Sequence, residues 1–108
     1  MIVSASAHVA GHRVARTLGV VYGNTIRARH VGKDILAGLK NLVGGEIQEY
    51  TKLMAEAREQ AIDRMIAVAT SRGANAVINV AFSTSYIMNN ASEILVYGDA
   101  VVIEKHTD

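Results

Sequence analysis

The chain has 108 residues, half of them apolar and 19% charged, with a formal net charge of +1. That size fits one domain, 1–108, and the apolar share excludes disordered and low-complexity classes. The absence of cysteine removes disulfides and thiolate metal sites, and without proline or tryptophan the core must rest on Ala, Val, Ile, Leu and Met in long uninterrupted elements.

Charge is unevenly spread. Residues 1–45 carry Arg13, Arg16, Arg27, Arg29, Lys33 and Lys40 against Asp34 alone, so this part is strongly basic and the remainder acidic. Two readings follow: a basic face for an acidic partner, or a basic strand attracted to an acidic helix. Tyr22 is the one aromatic among these arginines, too few to stack bases, so a nucleic-acid partner is not expected.

The start, MIVSASAHVAGHR, lacks a basic stretch followed by an apolar one, so no signal peptide is expected. No apolar run nears the roughly 18–20 residues that span a bilayer. The expectation is a cytoplasmic protein with no membrane partner.

In chain order, residues 13–29 (RVARTLGVVYGNTIRAR) alternate with a period of two and predict a strand. Val14, Leu18, Val20, Tyr22 and Ile26 are assigned to its core face. Gly19 and Gly23 on the other side predict a bulge or a close neighbour. Residues 31–45 space Ile35, Leu36, Leu39, Leu42 and Val43 at three and four, predicting a short helix ended by Gly44-Gly45. A long helix follows over 46–72, with an apolar stripe through Met54, Ala57, Ala61, Met65 and Val68, a charged opposite side, and Gly73 as its C-cap.

Residues 76–88 and 92–105 predict two more strands joined as a hairpin across Asn89-Asn90-Ala91. The last strand is apolar on both sides, with Ile94, Val96 and Val102 on one and Leu95, Tyr97, Val101 and Ile103 on the other. Such a strand belongs in the middle of a sheet covered twice. The expected fold is therefore α+β and two-layered. A three-stranded antiparallel sheet, ordered first–last–middle, packs on the long helix and the short one. These helices cover one face only, so the other predicts a homo-oligomer.

Chemistry is sparse. His8 and His12 have the i,i+4 spacing of a helical metal pair, but Gly11 and the pattern of AHVAGHR give no helix to support it. His30 and His106 stand singly at element ends. Ser83, Thr84 and Ser85 lie on a strand without a histidine nearby or a nucleophile elbow. Glu56 and Glu59 share a solvated helix side. The Gly44-Gly45-Glu46 turn lacks the rest of a phosphate loop, and Glu46 itself complements the helix dipole. Arg58 follows Tyr50 by two helical turns, so both lean the same way.

GLKNLVGGEIQEYTKLMAEAREQA, SRGANAV and YGDAVVIEK, with LGVVYGNTI at 18–26, resemble the YbjQ-like family of small bacterial and archaeal proteins, over nearly the whole chain. The resemblance implies a dodecin-subunit-like fold assembled as a ring, commonly a pentamer, and a label for heavy-metal binding that makes a divalent metal ion the one cofactor to consider. It also implies roles for Tyr50 and Arg58, either lining a small anionic-ligand pocket near the ring axis or meeting across an interface. Two positions depart from the family pattern: Asp99 stands where threonine is usual, and Asn79 where glycine is common. Both are candidates for ligand or subunit contact. Asp99 is expected to meet an arginine, including one from a neighbour, or to sit in a solvated pocket. The functional readings are three: a non-enzymatic ring protein holding a small ligand or metal ion between subunits, a structural or regulatory scaffold with a protein partner, and, behind both, a small hydrolase.

Overall fold

The structure is a computed structural model that describes residues 1–28, 45–88 and 91–106. Four strands and one helix make up these residues: β1 (Ile2–Val3), β2 (His12–Ala28), α1 (Gly45–Ser71), β3 (Ala76–Met88) and β4 (Ala91–Lys105). The sheet order is β1-β3-β4-β2. Antiparallel ladders join β2 to β4 and β3 to β4, so the chain's first long strand, its last and its middle one lie in the expected order.

The expectation of three strands is corrected to four, in a mixed sheet. Ile2 and Val3 pair parallel with Ala76 and Val77, and a two-residue strand is too short to show a period. The expected short helix at 31–45 falls outside the described residues.

Helix α1 ends as its sequence predicts. Gly73 adopts a φ of +87°, which glycine reaches without penalty. The Ala74 N–H donates to the Ala69 carbonyl and the Gly73 N–H to that of Thr70, the paired bonds of a Schellman cap.

The helix buries a stripe of small residues. Ala57, Ala61, Met65 and Ala69 are fully buried, and they pack with Val21 of β2, Val77 of β3, and Ile94, Val96 and Ala100 of β4. Each large side chain taken wholly out of water there contributes about 2 kcal/mol. Alanines let the helix backbone come close, and Gly23 is where it comes closest. A Cβ built on Gly23 would overlap the Ala61 carbonyl oxygen and lie 2.5 Å from the Met65 nitrogen. Two residues on, the buried Thr25 hydroxyl donates to the Ala57 carbonyl at 3.0 Å.

This reverses the expected facing of β2. Val21, Gly23 and Thr25 meet the helix, while Val20, Tyr22 and Ile26 are 58%, 62% and 59% exposed. Register shifts between Val14 and Arg16 and between Thr17 and Gly19 interrupt the alternation locally but cancel in pairs, so Val14, opposite Ile103, stays on the same outer face as Val20, Tyr22 and Ile26. Gly19, with φ +102°, sits at the second shift. The size of the apolar side chains misled as well. A close-packed helix selects the glycine-bearing face and leaves the bulky face outside.

Two arginines tie α1 to the edge strand. Arg64 donates to the Asn24 carbonyl at 2.6 Å and Arg72 to the Val20 carbonyl at 3.0 Å.

Candidate functional site

The second sheet face is divided. At one end Val9 packs on Ala76, Ile78, Val101 and Ile103, so the N-terminal segment covers that part. Its backbone follows the edge of β3: the Ser4 N–H donates to the Val77 carbonyl, the Val80 N–H to that of Ser4, and the Asn79 N–H to that of Ser6. Beyond this segment no other described residue covers the face. Tyr22 is directly opposite Tyr97 in the ladder, with Val20, Ile26 and the half-buried Leu95 beside them. Tyr97 itself is 41% exposed.

Asn79 and Asp99, two of the sequence candidates, come together at the boundary between these parts. Two β3 residues, Asn79 and Val80, occupy the step between the pairs Ile78–Asp99 and Ala81–Tyr97, which makes a bulge. Asn79 adopts φ +55°, the left-handed conformation that favours glycine and tolerates asparagine next best. Its amide Nδ2 donates to the Asp99 carboxylate at 2.9 Å. Among the described residues of its own chain, the partner of Asp99 is this amide. The two departures from the family pattern form one hydrogen-bonded pair, which locks the bulge against β4.

Arg58 is exposed on α1. Tyr50 lies in the same helix, but its side chain is outside the described residues, as is any meeting of the two.

Histidines gather in a way their sequence positions did not reveal. His8, His12 and His106 line one half-open surface depression of about 320 Å³, with Arg13, Val14 and Ile103 among its other walls. The ladder places His12 opposite Lys105, which brings the end of β4 to the start of β2, and the His106 N–H donates to the Gly11 carbonyl. His12 Nδ1 lies 2.9 Å from the Ala10 carbonyl, and a tautomer with its proton on Nδ1 satisfies that bond. Arg13 pairs with Glu104 at 2.8 Å. Only the antiparallel pairing of first and last strands, already legible in the sequence, could have grouped His106 with the other two.

The hydroxyls of Ser83, Thr84 and Ser85 are far from this cluster. Ser83 pairs with Leu95 and His12 with Lys105. Ten residues along β4 separate the two sites, about 33 Å of extended chain.

A helix packed on one side of a mixed, mainly antiparallel sheet, with exposed apolar residues on the other, defines a small α+β protein. The chain belongs to the YbjQ family, whose model, described as "Putative heavy-metal-binding", matches residues 1–104. A UPF0145 protein of Dehalococcoides mccartyi is 59% identical over 96% of this chain and its own full length. Another, from Archaeoglobus fulgidus, is 56% identical over 94% of each chain. The crystal structure of a protein of unknown function from Pediococcus pentosaceus, assigned to the DUF74 family, shares the fold with a TM-score of 0.65. It covers 96% of this chain and 98% of its own at 15% identity, a likeness that bears on the fold alone.

The family description invites a metal, which needs several ligands converging on one point. Among the described residues no three His, Cys, Asp or Glu side chains are grouped so as to hold an ion. His8, His12 and His106 share a depression without converging on a point, and the permanently charged Arg13 stands on its wall. These residues do not fit a metal centre.

Proposed function

We propose that this chain is a non-enzymatic subunit of a homo-oligomeric ring, a pentamer on the family pattern, that works in the cytoplasm and holds a small ligand between its subunits. The observation that carries this reading is the open apolar face around Tyr22 and Tyr97. Val20, Tyr22, Ile26 and Tyr97 are each more than 40% exposed and stand together on one side of the sheet. Patches of this kind on soluble proteins mark association surfaces. A second copy is the economical occupant, since closed rings bury the same patch on every subunit.

The shape of the chain supports the same reading. Its radius of gyration is 17.9 Å, against about 13 Å for a compact domain of this length. Its accessible surface is 7261 Å², where a compact monomer of this mass would show about 5,800 Å².

The test is light scattering on the untagged protein at micromolar concentration. A mass of about five subunits is expected, and Tyr22→Lys should lower it to that of one subunit while the circular dichroism stays that of the parent. A stable monomer of the parent chain would overturn the reading.

A further inference from the structure

We infer that the depression between the N-terminal segment and the ends of β2 and β4 is a binding site for a small organic anion, one with a carboxylate or phosphate group on a compact apolar body. The inference goes beyond the assembly reading and is independent of it, because every wall named here comes from one subunit.

Four observations set the ligand class. First, size: about 320 Å³ is the lower end of small-molecule sites and far more than one ion needs. Second, charge: among the described residues the lining side chains with polar ends are Arg13, His8, His12 and His106, and none of these is a carboxylate. A guanidinium repels a metal ion and receives a carboxylate or phosphate in a two-pronged fashion. Third, the other walls, Val14 and Ile103 among them, are apolar and suit a body without further charges. Fourth, the site is partly prearranged. His12 is held by the Ala10 carbonyl and the backbone of His106 by that of Gly11, so neither position has to be ordered by the ligand.

Glu104 is the competitor. It takes Arg13 Nη2 at 2.8 Å, in a pair whose side chains are 62% and 52% exposed. A pair so exposed holds its partners weakly. Arg13 has five N–H donors, and a ligand can use those that Glu104 leaves or displace the carboxylate. Glu104 therefore sets the affinity from outside the depression.

The experiment is saturation-transfer NMR and calorimetry on the full-length protein in its native assembly state, with phenyl phosphate, benzoate, inorganic phosphate and zinc chloride as probes. Phenyl phosphate or benzoate should bind at least tenfold tighter than inorganic phosphate. Arg13→Gln should weaken that binding at least tenfold and the pair His8→Gln with His106→Gln severalfold, all with unchanged thermal unfolding. Glu104→Gln should tighten it two- to threefold, a change of sign that misfolding would not produce. No saturation transfer at millimolar phenyl phosphate and benzoate, or binding indifferent to Arg13, would overturn the site. So would zinc binding that the histidine variants abolish, without anion binding. None of these results bears on the oligomeric mass, so failure here and failure of the ring reading are told apart.

Discussion

The two faces of this sheet are built from the same three long strands and by opposite rules. On the helix side the contact is made by small residues: Gly23 lies against the backbone at Ala61 and Met65, and Ala57 receives the Thr25 hydroxyl. On the other side the residues are large, with Val20, Tyr22, Ile26 and Tyr97 standing in the open. Residue size therefore does not tell which face of a strand is the core of its own subunit. Small side chains bring two backbones together, and large ones offer area to something that arrives later.

The sharpest way to break this contrast is to remove bulk from the closed side. Met65→Ala, at a site with no exposure, should cost about 3–4 kcal/mol in urea unfolding, since the close-packed helix cannot collapse into the gap. Adding bulk at the tightest point comes next. Gly23→Ala should cost about 2–3 kcal/mol by the same measurement, because the new methyl meets helix backbone rather than a yielding side chain. A neutral Gly23→Ala would mean that the helix does not sit where described. Thr25→Val keeps the shape and removes the donor to Ala57, so about 1 kcal/mol should be lost. On the open side, Tyr22→Ser should change the folding stability of the isolated subunit by no more than about 0.5 kcal/mol, measured at concentrations low enough to remove association. A loss there as large as that for Met65→Ala would erase the distinction between the faces. The smallest effect belongs to Asn79→Gly. Relief of the left-handed backbone offsets the lost bond to Asp99, leaving a net change within about 0.5 kcal/mol, whereas Asn79→Ala should lose about 1 kcal/mol or more.

Much of the fold was legible in the sequence because it depends on long periodic segments. The two-sided apolar pattern of β4 gave its central place, the 3.6-residue stripe gave α1, and Gly73 marked its end. What escaped is not carried by a period. On β2 the glycine-bearing face, and not the bulky one, meets the helix, and the single bulge at Asn79 puts Ala81 on the same face of β3 as Ile78. β1 is too short to have a period at all. The candidate site was legible in pieces. His8 and His12 stood out by spacing and Asn79 and Asp99 by departure from the family. That the last two bond to each other, and that His106 joins the first two, follows from strand register, which the sequence fixes only after the pairing is known.

Arg64 on α1 and Arg72, the residue just past its end, have a consequence for how the helix is indexed on the sheet. Arg64 and Arg72 are eight residues apart and bond carbonyls four residues apart, at Asn24 and Val20. Eight helical residues rise about 12 Å, and four strand residues about 13 Å, so helix and strand are commensurate over this interval and run past one another like two scales of a vernier. Sliding α1 by a single residue turns both guanidinium groups about 100° away from their carbonyls at once. One setting of the helix is therefore distinguished from its neighbours before any hydrophobic contact is compared, and the alanine stripe, which by itself would tolerate a slip of one turn, is held to a unique position.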